Sequence, residues 1–150
     1  MSLAPVDIRK RVEESLAGVL GGLSPKGRVS TVPLDRFPGG DLADRESHSF
    51  AVGLGSSSAL PGRQNQAAAL VPAETAVIVR WTWLLSQDNA VDAYDEALKR
   101  EVLVVGAVID ADGDDGPAPR FVSATRRVEA GGTLFVGEIT FAVFHGYPLV

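Results

Sequence analysis

The segment Val77–Leu85, VIVRWTWLL, restricts the fold more than any other part of the chain. It alternates in the manner of a β-strand and carries apolar residues on both faces. One face holds Val77, Val79, Trp81, Trp83 and Leu85, and the other holds Ile78, Arg80, Thr82 and Leu84. Apolar residues on both faces are typical of a strand in the middle of a sheet. We therefore predict a central strand here.

Two segments have the apolar spacing of amphipathic helices. The first runs from Val6 to about Leu20, with its apolar face at Ile8, Val12, Leu16, Val19 and Leu20. The second covers SQDNAVDAYDEALKREVLVVGAVID, with Asn89 as its N-cap. Its β-branched run VLVVGAVI could form a strand, but the continuous helical spacing favours a helix. The spacing predicts a buried stripe made of Val91, Tyr94, Leu98, Val102, Val105 and Ile109.

The remaining strands are shorter or weaker in pattern. We expect them around Arg28 to Val32, at His48–Leu54, and in RFVSATRRVE and TLFVGEITFAVFH. The turn Ala130-Gly131-Gly132 joins the last two into a hairpin whose second strand buries Phe135, Ile139, Phe141 and Val143. The segments Gly39–Glu46 and Gly55–Thr75 are predicted to be long loops.

This element order, α-β-β-β-α-β-β, indicates the fold class. It predicts an α+β fold in which two helices pack on one mainly antiparallel sheet of about five strands. With 150 residues, the chain is expected to be a single domain, residues 1–150.

Composition excludes several classes of function. The chain has no cysteine, which rules out disulfides, thiolate zinc sites and cysteine nucleophiles. Its net charge of −5 argues against a general nucleic-acid-binding protein, because neutralising phosphates requires clustered lysine and arginine. No apolar stretch reaches the roughly 18–20 residues of a membrane span, so no membrane association is expected.

The stretch GLGSSSAL, Gly53–Leu60, resembles part of the phosphate loop of the GHMP small-molecule kinases. Such a loop binds phosphate through amide groups at the start of a helix. Here Pro61 and Gly62 would stop a helix within one turn, and the chain is about half as long as that family requires. We therefore interpret the stretch as a flexible loop that is poorly ordered or displaced in the isolated protein.

The acidic run Asp110–Gly116 has aspartates at the first, third and fifth positions of a calcium-binding loop. Asp115 stands where that loop needs glycine, and Phe121 stands where it needs glutamate. A solvated acidic turn is the favoured interpretation, with an opportunistic cation as the alternative.

Few other residues suggest chemistry. His48 and His145 lack the neighbours that a catalytic triad or a metal site requires. The two tryptophans beside Arg80 could stack on bases, although aromatic residues in a central strand more often belong to the core. Arg120, Arg126 and Arg127 could pair with an acidic loop of a neighbouring subunit, or be solvated. We predict no catalytic, cofactor-binding or metal-binding residue, no cofactor, and no enzymatic activity.

Two blocks carry a resemblance to a known family. The run AVIVRWTWLLSQDNAVDAYDEALKREVLVVGAVI, followed by RFVSATRRVEAGGTLFVGEITFAVFH, resembles the tail terminator (tail completion) proteins of long-tailed bacteriophages. In that family a strand of this type precedes a helix that begins near an Asp-Ala-Tyr-Asp-like stretch, and a β-hairpin closes the domain. The resemblance covers most of residues 6–146 and lies in size, element order and residue character.

The resemblance implies a structural virion protein. Such a protein would form a homo-oligomeric ring, a hexamer in that family, which caps the tail tube and joins it to the head–tail connector. Its partners would be the tail tube protein and the connector protein, and DNA would pass through the lumen without specific binding. The ring would be assembled in the host cytoplasm and located in the virion. The alternative is a small-molecule-binding or enzymatic α+β domain of a bacterial cell.

Overall fold

The computed structural model describes residues 4–20, 28–29, 34, 49–60, 70–85, 90–110 and 119–148. Within these residues, the elements in chain order are α1 (Pro5–Leu20), β1 (Arg28–Val29), β2 (Ser49–Ala59), β3 (Leu70–Leu84), α2 (Ala90–Ile109), β4 (Arg120–Glu129) and β5 (Leu134–Pro148). Predictions for Gly39–Glu46, His48, Asn89 and the acidic run after Asp110 lie outside the described residues.

The described strands form one sheet in the order β1-β2-β3-β5-β4. Strands β2, β3, β5 and β4 are antiparallel to their neighbours, whereas the two residues of β1 pair with β2 in parallel. Both helices lie side by side on the sheet, α1 over β1 and β2 and α2 over β5 and β4. The predicted α+β class and mainly antiparallel sheet are therefore confirmed: four of the five described strands are long and antiparallel, and the fifth, β1, has only two residues.

Strand β3 is the central strand that the alternation predicts. It pairs with β5 over its full fifteen residues and with β2 on its other side. The face toward the helices is buried at Val77, Val79, Trp81, Trp83 and Leu85. One row of paired residues crosses the sheet through Phe50, Trp81, Gly137 and Arg126. Because Gly137 has no side chain, the Trp81 indole lies directly against the backbone of β5.

The prediction of a loop over Gly55–Thr75 is wrong for both ends of this segment, which belong to strands. Gly55–Ala59 continues β2, and Leu70–Thr75 belongs to β3. The pairs Ser57–Thr75, Ser58–Glu74 and Ala59–Ala73 hold the two segments together, after a register shift between Leu54 and Ser57. Small residues are weak strand formers alone. Here β3 is already held by β5, so it offers a rigid row of backbone groups with which they pair.

The prediction of helix α2 is correct, and its buried stripe is correct in part: Tyr94, Leu98 and Val105 are partly buried and pack against the core. The residues that face the core are Ala97, Glu101, Val104, Ala107 and Val108. Val91 and Val102 are exposed at 74% and 70%, and Ile109 at 38%. The second half of the helix is apolar on nearly every side, so periodicity alone does not select a face. Alanines at positions 97 and 107 allow α2 to approach its neighbours closely.

Other predicted features are confirmed. Helix α1 buries Ile8, Val12 and Leu16, and β5 buries Phe135, Ile139, Phe141 and Val143. The hairpin turn contains Gly131 and Gly132 at φ of 67° and 91°, a conformation that favours glycine. No helix among the described residues is long and apolar enough to cross a membrane.

Replacing Gly137 tests the contact with Trp81. A Cβ at this position would lie 2.6 Å from Trp81 Cε2, and the Trp81 side chain is buried. We expect Gly137→Ala to lower the free energy of unfolding by about 1–3 kcal/mol, measured by urea denaturation. Gly106→Ala is the matched control, since a Cβ there meets no described atom within 4 Å. It should raise stability by about 0.5–1 kcal/mol because it lies inside a helix. Equal effects of the two changes would contradict the close contact.

Candidate assembly surfaces

Among the described residues, two lengths of strand backbone have no strand beside them on one side. Strand β4 pairs only with β5 among the described strands. On the other side, β1 covers β2 only at Ser49 and Phe50. From Ala51 to Ala59 no described strand pairs with the outer side of β2. We call these two lengths the β4 edge (Arg120–Glu129) and the β2 edge (Ala51–Ala59).

The β4 edge exposes three bulky apolar side chains among its charged and polar residues. Phe121, Val122 and Val128 are exposed at 45%, 48% and 47%. Phe121 packs edge-to-face on Phe141 of β5, with ring centroids 6.3 Å apart, so its ring is held at the rim of the core. Residues 121 and 123 flank a register shift against β5. Such a bulge bends a strand and increases its twist.

An exposed apolar line on α2 lies beside this edge. Val91, Val102 and Ile109 are 11 and 7 residues apart, so they share one side of the helix to within about 20°. The opposite flank of α2 meets α1, where the Ser15 hydroxyl donates to the Ala107 carbonyl at 2.7 Å. The three residues therefore lie on the flank that α1 does not cover, above β4. We call this line together with the β4 edge the β4 flank.

A buried carboxylate fixes the β4 edge to α2. Glu101 is 8% exposed, and its two carboxylate oxygens accept hydrogen bonds from Arg126 Nε at 2.9 Å and Nη2 at 2.5 Å. These hydrogen bonds to Glu101 raise the pKa of Arg126 above its ordinary value. The pair keeps the helix and the outer strand in one fixed relation.

The other arginines of β4 also have acidic partners in the same chain. Arg127 Nε lies 2.6 Å from Glu129 Oε1, and Arg120 Nη2 lies 3.5 Å from Glu74 Oε1. Arg120, Arg126 and Arg127 therefore do not need an acidic loop of a neighbouring subunit as a partner. Arg80 likewise binds Glu138 through Nε and Nη2, and its Nη1 donates to the Leu34 carbonyl.

The β2 edge has smaller side chains than the β4 edge. The C-terminal half of this edge, Gly55–Ala59, contains only glycine, serine and alanine, and all five residues are exposed. This is the stretch that resembles a phosphate loop, and it forms a strand rather than the start of a helix. The amide groups therefore do not converge as anion binding requires.

A polar row ties the β2 edge to the centre of the sheet. Ser57 Oγ lies 2.7 Å from Thr75 Oγ1, which lies 2.6 Å from His145 Nε2. The hydroxyl beside the imidazole is that of Thr75, which is fully buried, so no substrate can reach it. The row therefore joins β2, β3 and β5. Sequence spacing did not indicate it, because the three residues lie in separate strands.

The tryptophans of β3 do not form a stacking surface for bases. Trp81 and Trp83 are 3% and 8% exposed. Trp81 packs on Phe135 with centroids 5.0 Å apart, and the Arg100 guanidinium lies 5.3 Å from the ring centre of Trp83. The interpretation as core aromatic residues is correct.

Comparison with known proteins identifies the fold. No protein-family model matches the chain, and no curated protein matches it. Among solved structures, the chain is similar to one in the virion of a native gene transfer agent (GTA) particle, with a TM-score of 0.54. The two share 16% sequence identity, over 92% of this chain and 93% of the other. At this identity, the likeness establishes a shared fold.

Removing Arg126 tests the link between α2 and β4. Arg126→Ala would leave Glu101 with a buried carboxylate whose partner is gone, and we expect a loss of about 1–2 kcal/mol in urea denaturation. The loss is limited because Arg126 is partly exposed to solvent. Arg127→Ala, which breaks only the exposed pair with Glu129, should change stability by less than about 0.5 kcal/mol. A loss of the same size for both variants would contradict a special role of the buried pair.

Replacing the central hydroxyl tests the polar row. Thr75→Val keeps the shape of the side chain but removes the oxygen that bridges Ser57 and His145, and we expect a loss of about 1–3 kcal/mol. Thr125→Val on the exposed face of β4 is the control and should be nearly neutral. An unchanged unfolding midpoint for Thr75→Val would show that the row contributes nothing to stability.

Proposed function

We propose that this protein is a structural component of a virion, and specifically a tail terminator. It would form a homo-oligomeric ring, a hexamer by resemblance, that caps the finished tail tube and joins it to the head–tail connector. The ring is non-enzymatic in this proposal and acts through its contacts with the tube protein, the connector and its own copies. It would be assembled in the host cytoplasm and remain in the virion.

The observation that carries the proposal is the fold shared with a chain of the gene transfer agent virion. The similarity extends over almost the whole of both chains. The resemblance of the segments around β3, α2 and the β4–β5 hairpin to tail terminators supports the same assignment.

The surfaces of the chain suit a ring component. A ring needs two different contact surfaces on each subunit, because each copy meets one neighbour on each side. The β4 flank and the β2 edge are two such surfaces, at opposite ends of one sheet. The exposed apolar side chains of the β4 flank have no evident role in a chain that works alone. The same holds for the strand backbone that pairs with no described strand.

The distribution of charge suits a channel that DNA crosses without binding. The net charge of the chain is −5. The arginines at positions 80, 120, 126 and 127 each have a carboxylate partner within the chain, which reduces their attraction for phosphate groups. DNA would pass such a surface without being bound by it.

Measurement of mass and shape tests the proposal. We expect light scattering on the purified protein to give a multiple of the 15.8 kDa chain mass, six times that mass for a hexamer. Negative-stain images should show rings, both free and at the ends of tubes made from tail tube protein. A tube-end complex that forms only with this protein would support its position as the terminator. A particle that stays monomeric at all concentrations and never binds tube ends would refute the proposal.

A further inference from the structure

We propose that the ring closes by pairing of the β4 edge of one copy with the β2 edge of the next, so that the sheets of successive copies become continuous. This inference rests on the proposed function for the existence of a ring and names the contact that would build it. The occupant of each open edge is therefore a second copy of this chain.

The direction of the strands permits this pairing. Strands β2, β3, β5 and β4 alternate in direction, so the first and the last of the four run opposite to each other. A rotation about an axis along the strands carries one copy onto the next without reversing any strand. The β2 edge of the neighbour would then lie antiparallel to β4, which continues the alternation. With an odd number of antiparallel strands in each copy, the first and last strands would run in the same direction. The two edges that meet between copies would then be parallel.

The two edges also match in size. One presents Phe121, Val122 and Val128, and the other presents the small residues Gly55–Ala59. Two bulky edges would clash, and two small edges would leave gaps, whereas a bulky edge against a small one can pack closely. The complementarity exists between different edges, so it favours a head-to-tail contact over a symmetric one.

Curvature of the edges favours closure over endless addition. A register shift lies in each of the two strands that carry these edges, between Leu54 and Ser57 in β2 and between Phe121 and Ser123 in β4. Bulges bend a strand and increase its twist, and they are frequent at the rims of closed sheets. A flat edge would instead accept further strands without limit, as in aggregation.

Burial of neighbouring apolar residues would stabilise the same contact. Val91, Val102 and Ile109 lie on the β4 flank, exposed at 74%, 70% and 38%. A copy docked on the β4 edge approaches this line from its open side. Burying these side chains would add a hydrophobic contribution to the main-chain hydrogen bonds between strands.

Blocking one edge at a time tests the inference. Phe121→Lys with Val128→Lys blocks the β4 edge, and Ser56→Lys with Ala59→Lys blocks the β2 edge. All four residues are exposed, so folding should be preserved, which circular dichroism and the unfolding midpoint would check. Val6→Lys, an exposed apolar residue on α1, is the matched control and should leave the ring intact.

The proposal predicts a specific result on mixing. Each edge-blocked variant alone should remain monomeric, because every contact in the ring uses one edge of each kind. An equimolar mixture should form a species of two chains and no ring, since one intact edge of each kind is present. Analytical ultracentrifugation over a concentration series measures the masses.

Three outcomes separate this inference from the proposed function. Rings that persist in both blocked variants would overturn the edge pairing and leave the terminator function standing. A mixture that stays monomeric, although each block abolishes the ring, would show that the edges do not pair with each other. A wild-type chain that forms no ring and binds no tube would refute the proposed function as well.

Discussion

The rest of the fold depends on the fifteen-residue pairing between β3 and β5. These strands are separated by α2 and β4 in the chain, yet they are adjacent in the sheet and paired along their whole length. Their buried face supplies the aromatic core, in which Trp81 and Tyr94 pack on Phe135. With both central strands held in this way, β2 and β4 each pair with one of them. β4 is an outer strand because β5 occupies the position between β3 and β4, and β2 has β1 beside it only at Ser49 and Phe50.

This order of strands explains which features of the fold sequence could predict. The central strand, helix α1 and the glycine turn of the hairpin depend on local pattern: alternation, helical spacing and the positive φ that glycine accepts. The second half of β2 has no such pattern, because GSSSA carries no apolar alternation and forms a strand only where β3 lies beside it. The core-facing side of α2 is also a tertiary property, since Val91 and Val102 are as apolar as Val104 and Val108.

The candidate surfaces were even less visible in the sequence. Exposure of Phe121, Val122 and Val128 follows from the position of β4 at the edge, which a linear pattern does not indicate. The same limit applies to the polar row, whose members are 18 and 70 residues apart in the chain. By contrast, the basic character of Arg120, Arg126 and Arg127 was evident at once, but their partners Glu74, Glu101 and Glu129 became known only from the fold.

These internal ion pairs bear on the kind of contact that the chain can make. Since each arginine of β4 already has a carboxylate in its own chain, what the edge offers to another copy is mainly backbone groups and apolar side chains. Association of that kind depends little on ionic strength, whereas association through surface charges weakens as salt screens them. The pair of Glu101 and Arg126 also holds α2 in a fixed position over β4, so little order has to be gained on binding. The β4 edge is thus held in place by the fold, and the stretch Gly55–Ala59, which resembled a flexible loop, forms part of strand β2.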